Sequence, residues 1–134
     1  MRGRRFACQA FAVALRVVIV DDSDSFLCAA RVLLEREGLS VVGVASTTAQ
    51  ALREVERQQP DVVLVDIKLA GESGFECARR LSQHDHGGQA VILISTHAEE
   101  DLADLIAETP AAGFLPKSDL SADAIRQVLG GRPS

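Results

Sequence analysis

The chain has 134 residues, 47% of them hydrophobic and 25% charged, with a formal net charge of −5 at pH 7. That length suits one domain able to bury about 65–70% of its unfolded surface without a metal or disulfide staple. The acidic balance argues against direct nucleic-acid binding, because a surface that holds phosphates needs the opposite sign.

Residues 1–15 open with Arg2-Gly3-Arg4-Arg5 ahead of an apolar stretch at 6–15, the outline of a secretory signal. The preferred reading is a disordered or loosely packed N-terminal extension, because an ATP-free exterior would strand the site argued below. The stretch also falls short of the about 20 apolar residues that a spanning helix needs, so no membrane role is expected. A strand at 16–21 then runs through Val17-Val18-Ile19-Val20 onto Asp21-Asp22. It leads into a helix over 24–37, where Phe26, Ala29, Ala30, Leu33 and Leu34 recur at three and four residues, Asp24 reads as the cap and Gly38 supplies the stop. A second strand at 41–45 precedes a helix capped by Thr47 or Thr48 and carrying Ala51, Leu52 and Val55, with Pro60 closing the connection.

The third strand, 62–66, carries Val62-Val63-Leu64-Val65 onto Asp66, and a helix over 73–83 follows with Phe75, Ala78 and Leu81 inward. A polar loop, His84-Asp85-His86-Gly87-Gly88, reaches a fourth strand in which Val91-Ile92-Leu93-Ile94 ends on Ser95. A helix at 98–108 opens with the acidic residues Glu99-Glu100-Asp101, which suit the positive end of its dipole. The fifth strand, 113–116, stops on Lys117, Ser121 caps a last helix bearing Ile125, Val128 and Leu129, and 130–134 is a short tail. The cysteines Cys8, Cys28 and Cys77 are odd in number and lack metal-ligand spacing, so they read as small buried thiols in a reducing, cytoplasmic compartment.

Strands of continuous Val, Ile and Leu are buried on both faces, which calls for an α/β fold with helices above and below a parallel sheet. Right-handed crossovers reach both faces only if the chain reverses its direction of travel once. A reversal beside the first strand sets Asp21, Asp22 and Asp66 together at the switch point of a doubly wound sheet, where ligands bind. Oxygen-only donors with no nearby His or Cys suit a hard cation, and two or three carboxylates plus waters suit Mg2+ better than Ca2+. Asp22 is expected to ligate directly. Asp66 is the candidate nucleophile, since a carboxylate can accept a phosphoryl group as a mixed anhydride while the metal and Lys117 neutralise the transferring oxygens. The Ser95 hydroxyl is placed to donate to the same group. Each of these residues alone has a plain reading as a cap, turn or core residue, but capping gives no reason for all of them to sit at strand ends.

As a set these residues resemble the receiver domain of bacterial two-component response regulators. The resemblance covers about 16–129 and rests on the acidic pair Asp21-Asp22, the acceptor in Leu64-Val65-Asp66-Ile67, Gly71 and Gly74 after it, Ser95, and Lys117. It implies a CheY-like, flavodoxin-like (βα)5 sheet of strand order 2-1-3-4-5. It further implies Mg2+ held by Asp21, Asp22, Asp66 and the Lys68 backbone carbonyl. Asp66 would then be phosphorylated by a histidine kinase or a histidine phosphotransfer protein. Ser95 and Phe114 would be a switch pair that alters a face made of the fourth helix, fifth strand and fifth helix, where a downstream protein docks; a homodimer is left open. Such a domain is a signalling module, not an enzyme beyond its own phosphorylation and dephosphorylation. Ala70 and Ser118 depart from the proline common at those positions, while Lys68 and His97 stand where side chains gate water in relatives.

Two other readings are carried forward. A haloacid-dehalogenase-type phosphatase would use Asp22 in Asp22-Ser23-Asp24-Ser25 and leave Asp66 idle. A pseudo-receiver would keep the pocket as a binding module without phosphorylation. With only 130–134 after the last helix, no output domain is expected within this sequence.

Overall fold

The computed structural model describes residues 14–83, 89–96 and 103–130. Five parallel strands, β1 (Arg16–Val20), β2 (Ser40–Ala45), β3 (Val62–Asp66), β4 (Ala90–Ser95) and β5 (Gly113–Pro116), form one sheet in the order β2-β1-β3-β4-β5. This is the flavodoxin-like order expected from the sequence. The reversal lies where the chain leaves β2 at one edge and re-enters on the other side of β1 as β3.

Alternation along each strand divides the core in two. Val17, Ile19, Leu64, Ile92 and Ile94 point to one face, where α1 (Asp24–Arg36) and α5 (Ala122–Gly130) cover them with Leu27, Ala30, Leu34 and Ile125. Val18, Val20, Val63, Val65 and Leu93 point to the other, against Ala51 and Val55 of α2 (Thr48–Gln58) and Cys77, Ala78 and Leu81 of α3 (Gly74–Gln83). The fourth helix, α4, is described over Ala103–Glu108, and Ile106 packs at the rim of this second cluster. At the edge, β2 is less covered: its register shifts between Val17 and Val18, and Val44 is left exposed.

The helix ends show how local chemistry sets the entry angles. Ser23, not Asp24, is the α1 cap, its hydroxyl accepting from Phe26 N at 3.3 Å, while Asp24 is the first helical residue. Gly38 takes φ +97° just past the helix, and Leu39 N donates back to Leu34 O, a turn that a β-carbon would strain. Thr47 caps α2 through Gln50 N, and Ser121 caps α5 through Ala124 N. Ala122 N, in the first turn of α5, also donates to Glu37 Oε1 at 2.6 Å, tying that end to the close of α1.

The sequence periodicity assigned Ala29 and Leu33 to the buried side of α1. Both are exposed, and Leu27 takes the inward position with Ala30 and Leu34; Cys28, on the same outer side, is exposed rather than buried as expected, whereas Cys77 is buried. Residues 84–88 and 97–102, with His84, His86, His97 and the Glu99-Glu100-Asp101 run, lie outside the described residues, as do Cys8 and the rest of 1–13. No described helix is long and apolar enough to cross a membrane.

Candidate functional site

Register alone brings the acidic residues together. Val20 of β1 pairs with Val65 of β3, so Asp21 and Asp66 leave neighbouring strands side by side at their carboxyl ends. Asp66 in turn pairs with Ile94, and Ser95 with Pro116, so Ser95 and Lys117 leave β4 and β5 at the same edge. Asp21 is fully buried and Asp66 nearly so, whereas Asp22 is exposed, and one carboxylate oxygen from each of the three lies within 4.8 Å of the others.

Each buried carboxylate is gripped on both sides. One oxygen accepts a backbone N–H two residues on, Ser23 N to Asp21 Oδ1 at 2.8 Å and Lys68 N to Asp66 Oδ1 at 3.1 Å. The other faces Lys117, whose Nζ lies 2.6 Å from Asp21 Oδ2 and 3.1 Å from Asp66 Oδ2. The contact with Asp66 is also a hydrogen bond. That with Asp21 is an ion pair off the hydrogen-bond direction, and the buried Asp21 Oδ2 accepts no hydrogen bond. The ammonium sits 4.2 Å from the centre of the Phe26 ring, in cation–π contact. Sequence reasoning placed Phe26 only in the helix stripe. Its nearness to the acidic pair in the first turn of α1 was the available signal.

Burial pushes the Asp21 carboxyl above its ordinary value and the Asp66 charge adds to this, against the lowering pull of Lys117 and the Ser23 N–H. For Lys117, burial works to depress the pKa, but the close carboxylates of Asp21 and Asp66 prevail and raise it. Three carboxylates and one ammonium leave excess negative charge in a buried pocket, with one oxygen lacking a hydrogen bond. The donor set is all oxygen, so the group that fits is a small hard cation.

The loop after β3 is built around this pocket. Lys68–Leu69 and Glu72–Ser73 form a two-residue antiparallel ladder closed by Ala70-Gly71, with Gly71 at φ +69°. Gly74 N then donates to Ile67 O at 2.8 Å. A β-carbon on Gly74 would sit 1.8 Å from Asp66 O, so only glycine lets α3 start this close to the acidic strand end. Glu72 reaches across to accept from Thr48 N at 2.7 Å, tying the loop to the start of α2.

Ser95 and Phe114 are both buried, and Leu93 pairs with Phe114, so the hydroxyl and the ring share the sheet face covered by α2 and α3. Lys117 reaches its carboxylates without a proline at 118: it opens a short 3-10 turn, Lys117–Asp119, after Pro116 in extended backbone. The Asp22-based phosphatase reading leaves Asp66 without work, whereas Lys117 is aimed at Asp66 and Asp21.

A profile of the response regulator receiver domain matches residues 17–129. The chain belongs to the response regulator receiver domain family. Among curated relatives, the response regulator GacA of Pseudomonas viridiflava is 33% identical over 122 residues, covering 88% of this chain and 56% of the relative. The response regulator UvrY of Escherichia coli K12 is 30% identical over 122 residues, with the same 88% and 56% coverage. This receiver-family chain therefore spans little more than half the length of those relatives. Among solved structures, the signal receiver domain of the putative response regulator NarL from Mycobacterium tuberculosis is similar with a TM-score of 0.74 and 31% identity, over 87% of this chain and 94% of that one. A LuxR-family two-component response regulator from Aurantimonas gives a TM-score of 0.76 at 27% identity, over 90% and 88%.

Proposed function

We propose that this receiver domain takes a phosphoryl group onto Asp66 in a Mg2+-dependent reaction, from a phosphohistidine on a sensor kinase or a phosphotransfer protein, and signals by protein contact. The observation that carries this reading is the Lys117 ammonium held between the Asp21 and Asp66 carboxylates at the switch point of the sheet. In the transfer, an Asp66 carboxylate oxygen attacks phosphorus, the P–N bond to the donor imidazole breaks, and the imidazole leaves with a proton from solvent. Lys117, already 3.1 Å from Asp66 Oδ2, offsets the charge gathered on the phosphoryl oxygens. Asp21, Asp22, Asp66 and the Lys68 carbonyl would hold Mg2+, which when bound supplies Lewis-acid neutralisation of the phosphoryl oxygens.

Ser95 would donate its hydroxyl to the new phosphoryl group, and Phe114, on the same sheet face, would follow it inward. The readout surface would then be that of α4, β5 and α5, where a downstream protein prefers one of two states. Incubation with phosphoramidate and Mg2+ tests the reading: one phosphoryl group per chain is expected, and none would overturn it.

Metal binding has its own signature. At Mg2+ tenfold above its dissociation constant the fold gains about 1.4 kcal/mol, a rise in melting temperature of about 5 °C by differential scanning fluorimetry. Asp22→Ala should remove most of that rise while leaving the apo melting temperature within about 2 °C, since an exposed side chain contributes little to packing.

The raised Asp21 pKa fixes the pH dependence. Between the ordinary value of 3.8 and the raised one, the folded state binds more protons than the unfolded, so this group makes the apo fold more stable as pH falls through that window. Mg2+ needs the carboxylate ionised, so its affinity moves the opposite way. Titrating Mg2+ at stepped pH should show affinity falling once the pH drops below the raised Asp21 pKa, by about tenfold per unit at the limit. The ion pairing of Lys117 adds stability at neutral pH that is lost only as pH rises through its own raised value, above 10.5.

A further inference from the structure

Helix α1 presents three sides with different surroundings. Leu27, Ala30 and Leu34 face the sheet, Cys28, Val32 and Leu33 line a shallow exposed groove, and Phe26 turns its ring to the ammonium at the acidic strand ends. That ring is half-buried, packed against the cluster between α1, α5 and the sheet, with Lys117 Nζ 4.2 Å from its centre. The negative face of an aromatic ring attracts a cation at this range, and more strongly where water is displaced. The Lys117 side chain is only 14% exposed.

Local bonds hold the ring to the site. Asp21 Oδ1 accepts from Ser23 N at 2.8 Å, and Ser23 Oγ accepts from Phe26 N at 3.3 Å. One short segment, 21–26, thus carries both a carboxylate and the aromatic face that flank the same ammonium. Lys117 has less to hold it from its own side. The pairing of β5 with β4 ends at Pro116, and the 3-10 turn that Lys117 opens has no side-chain cap. Its charge rides on a flexible four-carbon stem. Contacts of 2.6 Å to Asp21 Oδ2 and 3.1 Å to Asp66 Oδ2 leave the ammonium able to swing about the axis joining the two oxygens. The ring is a third contact, which stops that swing and keeps water off the α1 side.

We propose that Phe26 is a positioning residue for Lys117: the face of its ring is the third wall of the ammonium's seat and holds the charge where phosphoryl oxygens on Asp66 would gather. The seat stands on geometry alone, whereas its effect on transfer rests on Asp66 being the acceptor. A charge fixed in advance needs no reorganisation as the transferring oxygens become negative, so loosening it slows transfer while the nucleophile stays in place.

The seat is read first, in a spectrum that does not depend on phosphorus. The chain has two lysines, and the exposed Lys68 is the reference for Lys117. With isotope-labelled lysine, the ring current of Phe26 should place the Lys117 Cε–H resonance upfield of that of Lys68, and Phe26→Leu should bring it back. A Lys117 resonance that Phe26→Leu leaves in place would overturn the proposal. The rate of phosphoryl uptake from phosphoramidate is read next. Phe26→Leu should slow it about tenfold, and trifluorophenylalanine at the same position, which keeps the shape of the ring but not its negative face, should slow it by about as much. In a Lys117→Met background the two replacements should slow it no further. A trifluorophenylalanine protein at the parental rate would make Phe26 a matter of packing alone and would also overturn the proposal. No uptake in the parent would sink the reading of Asp66 instead, and the Lys117 resonance would still decide the seat.

Discussion

Asp66→Ala should lose phosphoryl incorporation from phosphoramidate by about a thousandfold or more, because it removes the nucleophile itself while leaving the rest of the pocket in place. The loss should not be one of folding. Asp66 adds to the charge that raises the Asp21 pKa, so its removal relieves repulsion there, and Lys117 keeps its 2.6 Å contact with Asp21. The melting temperature of Asp66→Ala should therefore match or exceed that of the parent without Mg2+. Rates followed by intact-mass spectrometry beside thermal melts separate the two effects. A variant that melts normally and still takes up phosphorus at the parental rate would move the acceptor elsewhere.

Gly74→Ala carries the largest expected effect on the fold. The added β-carbon would stand 1.8 Å from Asp66 O and 2.5 Å from Ile67 Cα, both backbone atoms that no rotamer change can move. Either α3 shifts or the end of β3 does, at a cost of about 2–4 kcal/mol and a drop of about 10 °C in melting temperature. Because the displaced atoms belong to Asp66 itself, phosphoryl transfer should fall as well. Gly130→Ala is the control: nothing lies within 4 Å of a β-carbon there, and in a helix alanine is slightly the better residue. Thermal melts that rank Gly74→Ala level with Gly130→Ala would show that the loop has slack the geometry does not suggest.

The strand ends were legible because each apolar run is continuous and stops on a chemically distinct residue. Burial on both faces then dictates a parallel sheet, and parallel strands put those stops on one edge. What the sequence hid is tertiary. In α1, Phe26, Leu27, Cys28, Ala29, Ala30, Val32, Leu33 and Leu34 surround most of the helix, so periodicity could not say which stripe the sheet would take. Leu27, Ala30 and Leu34 won, and the losing stripe became the exposed groove. The ring of Phe26 against Lys117 was invisible for the same reason, since the two are far apart in sequence and meet only when β5 closes the sheet beside α1 and the acidic pair. Capping was read one residue off, because Ser23 and Asp24 are both good cap types and only the backbone decides between them. The close approach at Gly74 is also beyond the reach of sequence: a glycine near a helix start signals a turn, and it is the folded position of the Asp66 carbonyl that demands it.

The most direct test of the account is where the phosphoryl group resides. After transfer from phosphoramidate with Mg2+, borohydride reduction converts an aspartyl phosphate to homoserine, and peptide sequencing by mass spectrometry locates it. The account predicts homoserine at position 66 alone; homoserine at 21 or 22, or none anywhere in a chain that still binds Mg2+, would contradict it.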